Sequence, residues 1–561
     1  MEHNLIIRKI LRTYLPITML VSLTSTVATF INTFLAGIWL SDADVVAISV
    51  PSYLTLFISV TGSMVATGSS IIFSKHLANG NRDRAVNSYS IAVYTAMAVG
   101  AVFFMVCLVY FLVLHQGYDT PLSDIISAEY VLSLGISAIP LLLLQIEIMF
   151  LRMDGDKYLA LSCFLVYIIV DITSVWLTVD GGKGPFGVGI SVAVGSVAAL
   201  LLTPIHRRKE GHNMMLRRPF ELWNGMKAIS KVGFRSILNR ISMTLRYYFL
   251  NVFIVTTGLG AKACLTSQNA VLHFVIAVYT GSAIMSAVLC STFYPQGDRK
   301  ALCDGVRELS AISLIISIIT AAVVLVFSAA ITHVLVDDEE YYTSAMWCLR
   351  WFALSIPTTT ICMILIYAYQ STKRKTLASI LVLCRGVALI MITVMAFSPF
   401  MGISAVWTCF LMADICTLIA ILVLSWRFNR RFPRSIDDLL MLQGKKFENP
   451  SLFEGSIRND RNELGELLVI LDEVLRRSSS DDYSIKAALM RVESIIGETI
   501  DCGYTDDKVH EIDVLIRDDN GLSIVIRDDS SIKIVRPDVK QAVLLDTNIY
   551  YINLNRLSKD V

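Results

Sequence analysis

The chain has 561 residues, of which 55% are hydrophobic and only 17% are charged. A soluble globular protein has roughly 45–50% apolar and about 25% charged residues, so this composition excludes a disordered protein and an ordinary soluble enzyme over the whole length. The net charge of +1 conceals an asymmetry, because residues 1–450 carry +9 and residues 451–561 carry −8. A basic, apolar front is therefore joined to an acidic rear.

The front contains twelve runs long enough to cross a membrane, which takes about 20 apolar residues. In chain order they lie near residues 11–37, 45–72, 88–114, 128–152, 158–179, 187–204, 233–257, 265–294, 308–335, 345–370, 376–397 and 402–426. Basic residues gather in every second loop, beginning with Lys75, Arg82 and Arg84, whereas the other loops hold only Lys183 and Lys262. By the positive-inside rule, this alternation predicts an even number of spans with both termini in the cytoplasm of a bacterial cell.

Several landmarks recur at a fixed distance along the front. Ile139-Pro140 returns as Ile356-Pro357, and the loop Gly80-Asn81-Arg82 resembles Gly297-Asp298-Arg299. Chance similarity between apolar helices is the alternative explanation. An even, six-span repeat gives two parallel halves related by an axis along the membrane normal. We therefore expect an all-α polytopic membrane protein with two six-helix lobes, formed by residues 1–217 and 218–430.

Four segments of the front resemble a known family in their order and spacing. They lie within residues 16–43, 62–85, 151–191 and 369–407, and they include Ile31-Asn32-Thr33, Gly187-Val188-Gly189 and Cys384-Arg385-Gly386. Together they resemble the multidrug and toxin extrusion (MATE) family over residues 5–430. The resemblance implies that the twelve helices form a V-shaped cleft. It also implies export of organic, often cationic, solutes against an inward flow of H⁺ or Na⁺ through the cytoplasmic membrane.

Ionisable residues inside membrane spans are rare and mark functional sites. Asp171 lies mid-span and matches an Asp that the family uses at its cation site, and Glu147 lies near the end of the preceding span. We predict that both form an H⁺ or Na⁺ site together with Asn32. The family usually has an Asp at the position of Asn32, and an amide cannot exchange a proton near neutral pH. A purely structural role of Asp171 between helices remains the alternative.

A second set of polar residues is predicted to line the substrate cleft: Arg240, Arg246, Tyr247, Asn251 and Asn269. Arginines facing the cleft would favour an anionic or zwitterionic solute over a purely cationic one. Arg385 and Asp414 match the family pattern, and we expect them to form a structural ion pair inside the second lobe. The eleven cysteines show no CxxC spacing, so the sequence predicts neither a disulfide framework nor a metal site.

The rear begins after a linker at residues 431–454, and residues 455–561 have the periodicities of a small soluble α+β domain. Helices are predicted at 462–477 and 484–503, and the strands 512–516 and 522–526 flank a hairpin turn at Asp518-Asp519-Asn520-Gly521. The order resembles the ATPase domain of anti-sigma factors and histidine kinases over residues 455–535. In that family, an adenine-binding Asp segment is followed by a Gly, and a helix carries a Glu and an Asn that holds Mg²⁺. The corresponding residues here are Ser530, Ser494 and Glu498, so we expect a degenerate domain that regulates, with ATP hydrolysis absent.

The leading hypothesis is a MATE-type secondary transporter that exports a small organic solute by H⁺ or Na⁺ antiport. It needs no cofactor beyond the coupling ion. A regulatory protein or a nucleotide could bind the rear domain, and no nucleic-acid partner is expected. Two alternatives remain: a membrane sensor whose output is the rear domain, and a flippase for lipid-linked precursors. An enzyme is not expected, because the sequence has no nucleophile–base pair, metal cluster or phosphate loop.

Overall fold

The structure is a computed structural model of the whole chain. It describes all residues except 1–5, 21, 24–51, 78–80, 116–121, 181–183, 210–211, 258, 336–338, 373, 402–403, 443–450, 479–480, 505–508, 519–521, 531–538, 545–546 and 555–561. Some helical residues in the regions 52–56, 115–124 and 235–273 are described by their backbone alone.

Long helices make up the front, because uninterrupted apolar segments satisfy their backbone hydrogen bonds internally only as helices. In chain order they are α1 (residues 6–20), α2 (Ser52–Leu77), α3 (Arg82–His115), α4 (Leu122–Met153), α5 (Lys157–Asp180), α6 (Gly184–Leu200), α7 (Leu222–Thr257), α8 (Leu259–Gln296), α9 (Arg299–Leu335) and α10 (Glu339–Ser371). Helix α11 consists of Lys375–Leu383, a π-helical turn at Cys384–Ala388, and Leu389–Met401, and α12 is Ser404–Asn429.

Ten helices among the described residues are long and apolar enough to cross a membrane. They correspond to ten of the twelve predicted spans. The first predicted span, 11–37, lies largely outside the described residues. The seventh is helix α7, which begins at Leu222 rather than near residue 233. Its added turns pack on α2, where Gly68 meets the backbone of α7 at Ile229 and Gly233 meets that of α2 at Met64. Small residues at such crossings let two helices approach closely.

Two groups of helices repeat one pattern of packing. In the first helix group (α2–α6), α4 packs on α2, α3 and α6, and α5 packs on α6. In the second helix group (α8–α12), α10 packs on α8, α9 and α12 in the same way, and α11 packs on α12. The central helices α4 and α10 each contain an internal proline, Pro140 and Pro357. The spacing of landmarks in the sequence is therefore matched by a repeat in the packing.

The predicted linker contains structure. Residues 436–440 form a short helix, α13 (Ile436–Leu440), which Ser435 caps by accepting a hydrogen bond from the backbone of Asp438. Met441 ends α13 in the left-handed conformation. The side chain of Arg374 donates to the carbonyl of Met441, and Tyr369 donates to that of Leu439. These contacts fix α13 against the second helix group.

The tail domain (residues 451–554) contains the two predicted helices, α14 (Arg461–Ser478) and α15 (Asp482–Cys502). Its five strands are β1 (Phe453–Arg458), β2 (Glu511–Asp518), β3 (Leu522–Asp528), β4 (Lys540–Leu544) and β5 (Thr547–Asn553). They pair antiparallel in the order β1-β2-β3-β5-β4. Strands β1, β4 and β5 were not predicted from the sequence, and β1 begins inside the predicted linker.

Both faces of the tail sheet are buried. Side chains of a strand alternate between its faces, and in β2 Val514 and Ile516 belong to one core with α14 and α15. Leu515 between them belongs to the core of the helix groups instead. The same alternation sends Ile526 to the tail core and Val525 to the helix groups. The tail sheet is thus a layer between its own two helices and the ends of the front helices.

Candidate functional site

A buried acid lies in the first helix group near the end of α4. The hydroxyl of Tyr89 on α3 donates to Oε1 of Glu147 at 2.5 Å. Arg207, in the short turn Pro204–Arg207 that follows α6, donates to the same oxygen at 3.2 Å and to the Tyr89 hydroxyl at 3.1 Å. Oε2 of Glu147 is buried and has no hydrogen-bond partner within the described part of the chain. One carboxylate oxygen is therefore held in place, and the other is available to a proton or a cation.

A second cluster closes the turn between α4 and α5. The ring of His206 lies between two carboxylates, with Nε2 at 2.8 Å from Asp154 and Nδ1 at 2.9 Å from Asp156. Asn213 donates to Asp154 through its backbone and its side chain, and Lys209 lies 2.8 Å from Asp156. Burial raises the pKa of Asp156. The hydrogen bonds from Lys209 and His206 outweigh this effect, so the pKa lies below its usual value.

Asp171 lies deeper in the first helix group than Glu147. It is almost fully buried and accepts a hydrogen bond of 2.7 Å from Ser191 on α6. Helix α6 can approach because Gly195 has no side chain: a Cβ there would lie 3.1 Å from the Cβ of Asp171. Both acids can be placed by counting residues along their helices from the turn that joins α4 to α5. At a rise of 1.5 Å per residue, Asp171 lies roughly 12 Å farther from this turn than Glu147 does. The structure does not bring these two acids into one cluster, and Asn32 lies outside the described residues.

The second helix group holds a buried ion pair. Arg385, on the π-helical turn of α11, donates through Nε to Asp414 on α12. Thr359 on α10 donates to the other oxygen of Asp414. Gly386 allows close packing of this turn on α7, where its neighbour is Ser242. A π-helical turn is uncommon and often marks a functional position.

A small pocket, with room for about one water molecule, lies beside this pair. Its ionisable lining residues other than tyrosine are Arg246, Arg385 and Asp414, which gives one excess positive charge. The buried guanidinium of Arg246, on α7, lies 5.0 Å from the ring centroid of Phe410, a cation–π contact. The remaining lining residues are Leu272, Tyr279, Phe352, Ser355, Thr359, Ile390, Phe410 and Ala413. Its lining is mostly apolar with a few charged groups, as in small-molecule sites, but such sites usually measure roughly 300–1,000 Å³, so this pocket would have to widen to admit an organic solute.

The other predicted cleft residues lie on α7 and α8, at positions where the structure describes the backbone alone. They are Arg240, Tyr247, Asn251 and Asn269. Their side chains are outside the described part, so their role in the cleft stays a prediction.

In the tail domain, the predicted adenine-binding segment is closed by protein groups. Oδ1 of Asp528 accepts hydrogen bonds from the backbone of Ser530 and from the side chain of Asn548, each at 2.9 Å. Burial raises the pKa of Asp528. Glu498, at the position predicted to correspond to the Mg²⁺-binding Asn of such ATPase domains, is exposed.

Sequence reasoning missed the cluster of His206 with Asp154 and Asp156, because its members are about fifty residues apart along the chain. It also missed the partners of Glu147. The acidic turn at residues 154–156, where an apolar run stops, was the one available signal. Polar residues at such a position need partners when they are buried.

The comparisons with known proteins bear on the front of the chain. A model of the MatE family matches residues 236–397. A crystal structure of MATE in complex with MaL6 is 16% identical and has a TM-score of 0.66, with 74% of this chain and 94% of that chain covered. An outward-facing multidrug resistance MATE transporter of the MOP superfamily is also 16% identical, with a TM-score of 0.67 and the same coverage.

A third similar structure is a MOP superfamily transporter from Pyrococcus furiosus, described as having a binding pocket of reverse polarity that suggests a different function. It is 15% identical with a TM-score of 0.62, and the match covers 72% of this chain and 93% of that chain. No curated protein matches. The chain thus contains a MatE domain, and its front has the fold of MATE transporters.

Proposed function

We propose that this chain, which carries a MatE domain on a MATE transporter fold, is a secondary transporter in the cytoplasmic membrane of a bacterium. It moves a small organic solute by alternating access between the two helix groups, driven by H⁺ or Na⁺. The proposal places the tail in the cytoplasm, on the side of the basic loops. The observation that carries it is the burial of ionisable groups inside helices that are apolar enough to cross a membrane, in both helix groups, at Glu147, Asp171, Arg385 and Asp414. Such residues mark ion and substrate pathways.

The ionisable side chains of the two helix groups support different roles for the two groups. In the first group, Glu147 offers a buried carboxylate oxygen to a coupling proton or Na⁺, and Asp171 offers a second acid deeper in the same group. In the second group, the excess positive charge and the aromatic rings of the pocket suit an anionic or zwitterionic organic solute. The coupling ion and the solute would then bind in different halves of the molecule.

Flux in proteoliposomes tests the proposal. The purified chain is reconstituted, H⁺ or Na⁺ gradients are imposed in turn, and the uptake of cationic, zwitterionic and anionic organic dyes is measured. We expect uptake of a zwitterionic or anionic dye under one of the two gradients. Absence of gradient-driven flux for all dye classes would contradict the proposal, and flux of cationic dyes alone would contradict the assigned solute class.

The pocket is tested by Arg246→Lys. Lysine keeps the charge but loses the planar group that stacks on Phe410, so we expect about tenfold weaker apparent affinity for the transported dye. Arg350 makes a similar contact outside the pocket, with its guanidinium 5.0 Å from the Trp347 centroid. Arg350→Lys is therefore the matched control, and equal effects of the two substitutions would argue against a solute site at Arg246.

A sensor is the second candidate, because the tail domain packs directly on the front helices and could receive a signal from them. In a coupled transporter, Asp171→Asn abolishes gradient-driven flux, whereas a sensor needs no flux at all. A flippase for lipid-linked precursors is the third. It predicts movement of a phosphorylated lipid, which a fluorescent-lipid scrambling assay in the same vesicles detects.

A further inference from the structure

The face of the tail sheet that points away from α14 and α15 carries an unusual mixture of side chains. Apolar Leu515, Val525 and Ile549 share it with Arg517 and Arg527, which follow at the same alternating positions of β2 and β3. Arg527 is nearly fully buried, at 3% exposure. A buried guanidinium is stable only when it is paired, so this face has a charged partner.

That partner lies in the second helix group, in the loop between α8 and α9. Arg527 donates to Oδ2 of Asp298, and both residues are buried. Oδ1 of Asp298 accepts a hydrogen bond of 2.8 Å from the backbone of Ala301 and so caps α9. Gly297 beside it has φ +69°, and a Cβ there would lie 2.6 Å from the guanidinium carbon of Arg517. The loop is thus shaped to receive two arginines of the tail.

The same face also contacts the first helix group and α1. Tyr551 on β5 donates to the carbonyl of Leu77 at the end of α2, at 3.5 Å, and accepts a hydrogen bond from Gln296 at the end of α8, at 3.4 Å. Lys9 on α1 forms an ion pair with Asp529, which follows β3. One tyrosine therefore lies between the ends of α2 and α8, which belong to different helix groups.

At this end of the molecule, the two helix groups are also joined directly. A single apolar core extends from α1 and α2 into α8 and α9, and it includes Leu11, Phe73, Leu77, Phe293 and Leu302, all of them buried. The tail sheet continues this core through Leu515, Val525 and Ile549. Opening a passage here requires the ends of α2 and α8 to separate, and the tail face bridges these two helix ends through Tyr551.

We propose that this face of the tail sheet is an interaction surface for both helix groups at once, and that the docked tail clamps them together at this end. The groups can part there only after the tail releases one of them, at the contact between Arg527 and Asp298. The consequence of the clamp rests on the proposed function: in an alternating-access transporter, the clamp disfavours the conformation that is open on the side of the tail. The clamp itself is a statement about the distance between the helix groups.

The substitution Asp298→Asn tests the clamp without disturbing the helix cap, because Asn caps a helix about as well as Asp. It removes the negative charge that Arg527 requires. The matched control is Asp83→Asn at the start of α3, in the equivalent loop of the first helix group, where the exposed Asp83 faces Arg217 at 3.4 Å. Arg527→Gln, which removes the other partner, is the second test variant.

Two measurements are made on the full chain in nanodiscs. Spin labels are attached to ketone-bearing residues introduced at the exposed positions Arg84 on α3 and Arg307 on α9, so that the native cysteines stay unlabelled. Double electron–electron resonance between the labels measures the distance between the helix groups. Hydrogen exchange of the backbone amides of β3 measures docking of the tail. Transport is assayed in parallel in proteoliposomes.

We expect Asp298→Asn and Arg527→Gln to speed exchange in β3 and to raise the population of long distances at least about fivefold, with no change for Asp83→Asn. Faster exchange with unchanged distances would overturn the clamp, as would unchanged exchange and distances in both variants. If the distances lengthen but no variant and no wild-type protein transports any solute, the transport function fails and the clamp stands.

Discussion

Two equivalent loops of the repeat, one in each helix group, have different partners. In both loops an arginine binds the segment that leaves its own half: Arg82 donates to Asn213 at 3.0 Å, and Arg299 donates to Asp437 at 2.9 Å. The residue before that arginine differs. It is Asn81 in the first half and Asp298 in the second, where the carboxylate receives the tail. Both halves of the repeat therefore keep the contact between the loop arginine and the segment that leaves the half. Only the second half has an Asp at the preceding position, and this Asp298 binds the tail domain.

The buried acids of the two halves differ in a related way. Glu147 shares its bound oxygen with a tyrosine and with Arg207, whose side chain is 41% exposed. Asp414 is held by the buried Arg385 and by Thr359. A pair with one solvated partner can exchange a proton with little reorganisation, whereas a fully buried pair resists any change of charge. Under the proposed function, ion exchange would therefore take place in the first half, and the pair in the second half would keep a fixed charge.

The largest expected effect concerns the pair in the second half. Arg385→Met leaves Asp414 buried without its partner, and we expect a loss of about 3–5 kcal/mol in the free energy of unfolding, measured by denaturation in detergent micelles. The double variant Arg385→Met with Asp414→Leu should regain most of that stability, because both charges are gone. If Arg385→Met were as stable as the wild type, the expected difference between the buried acids of the two halves would be contradicted.

The second-largest effect is expected on the stability of the tail domain. Burial raises the pKa of Asp513 on β2 from 3.8 to about 6. The folded state therefore binds this proton more tightly than the unfolded chain, so the stabilisation is fully present below about pH 4 and is lost as the pH rises through 6. Asp513→Asn should remove this dependence and protect the tail by roughly 1–3 kcal/mol at pH 7.5.

Hydrogen exchange of β2 in the full-length chain, corrected for the intrinsic rate at each pH, measures this effect. Asp482→Asn, which changes an exposed acid at the start of α15, is the control. A wild-type tail whose protection is the same at pH 4.5 and pH 7.5 would be inconsistent with the raised pKa.

In the first half, Glu147→Gln should reduce H⁺-driven flux at least about tenfold, since the amide cannot take up the coupling proton. Folding should survive, because the amide oxygen still accepts from Tyr89. Proteoliposome flux gives the loss, and the melting temperature controls for stability. Unimpaired H⁺-driven flux would exclude Glu147 as the proton carrier and leave Asp171 as the remaining acid of the predicted site.

The smallest effect tests the equivalence of the loops. Arg82→Ala and Arg299→Ala each remove an arginine that joins a loop to the segment leaving its half, and we expect each to cost about 0.5–1 kcal/mol because these side chains are exposed. The two values should agree within a few tenths of a kcal/mol in the same unfolding assay. A much larger cost for Arg299 would show that the tail depends on this contact as well.

Much of the fold could be predicted from the sequence, because membrane spans and a regular repeat leave strong signals. Apolar runs located the helices, and the recurrence of Pro140 as Pro357 anticipated the shared packing of α4 and α10. In the tail, the alternation within β2 and β3 identified a hairpin. Strand β5 escaped because no Asn-Gly or Asp-Gly turn marks its start: residues 545–546, between β4 and β5, are Leu and Asp.

The docking of the tail could not be predicted for a different reason. Asp513, Arg517 and Arg527 read as the solvent-facing side of an ordinary sheet, since charged residues are usually exposed. Asp298, the partner of Arg527, lies more than two hundred residues away in the sequence, at the position that the repeat makes equivalent to Asn81. Long-range pairing of charges leaves no periodic signal in either segment.

The anchoring of α13 to the second helix group sets how far a released tail can travel. Residues 442–452 alone connect that anchor to β1, and a fully extended chain of this length spans at most about 40 Å. A tail on so short a tether stays near its binding face at an effective concentration of the order of millimolar. Recapture would then be fast and independent of protein concentration, so the molecule could return to its shut state after each excursion without help from any other protein.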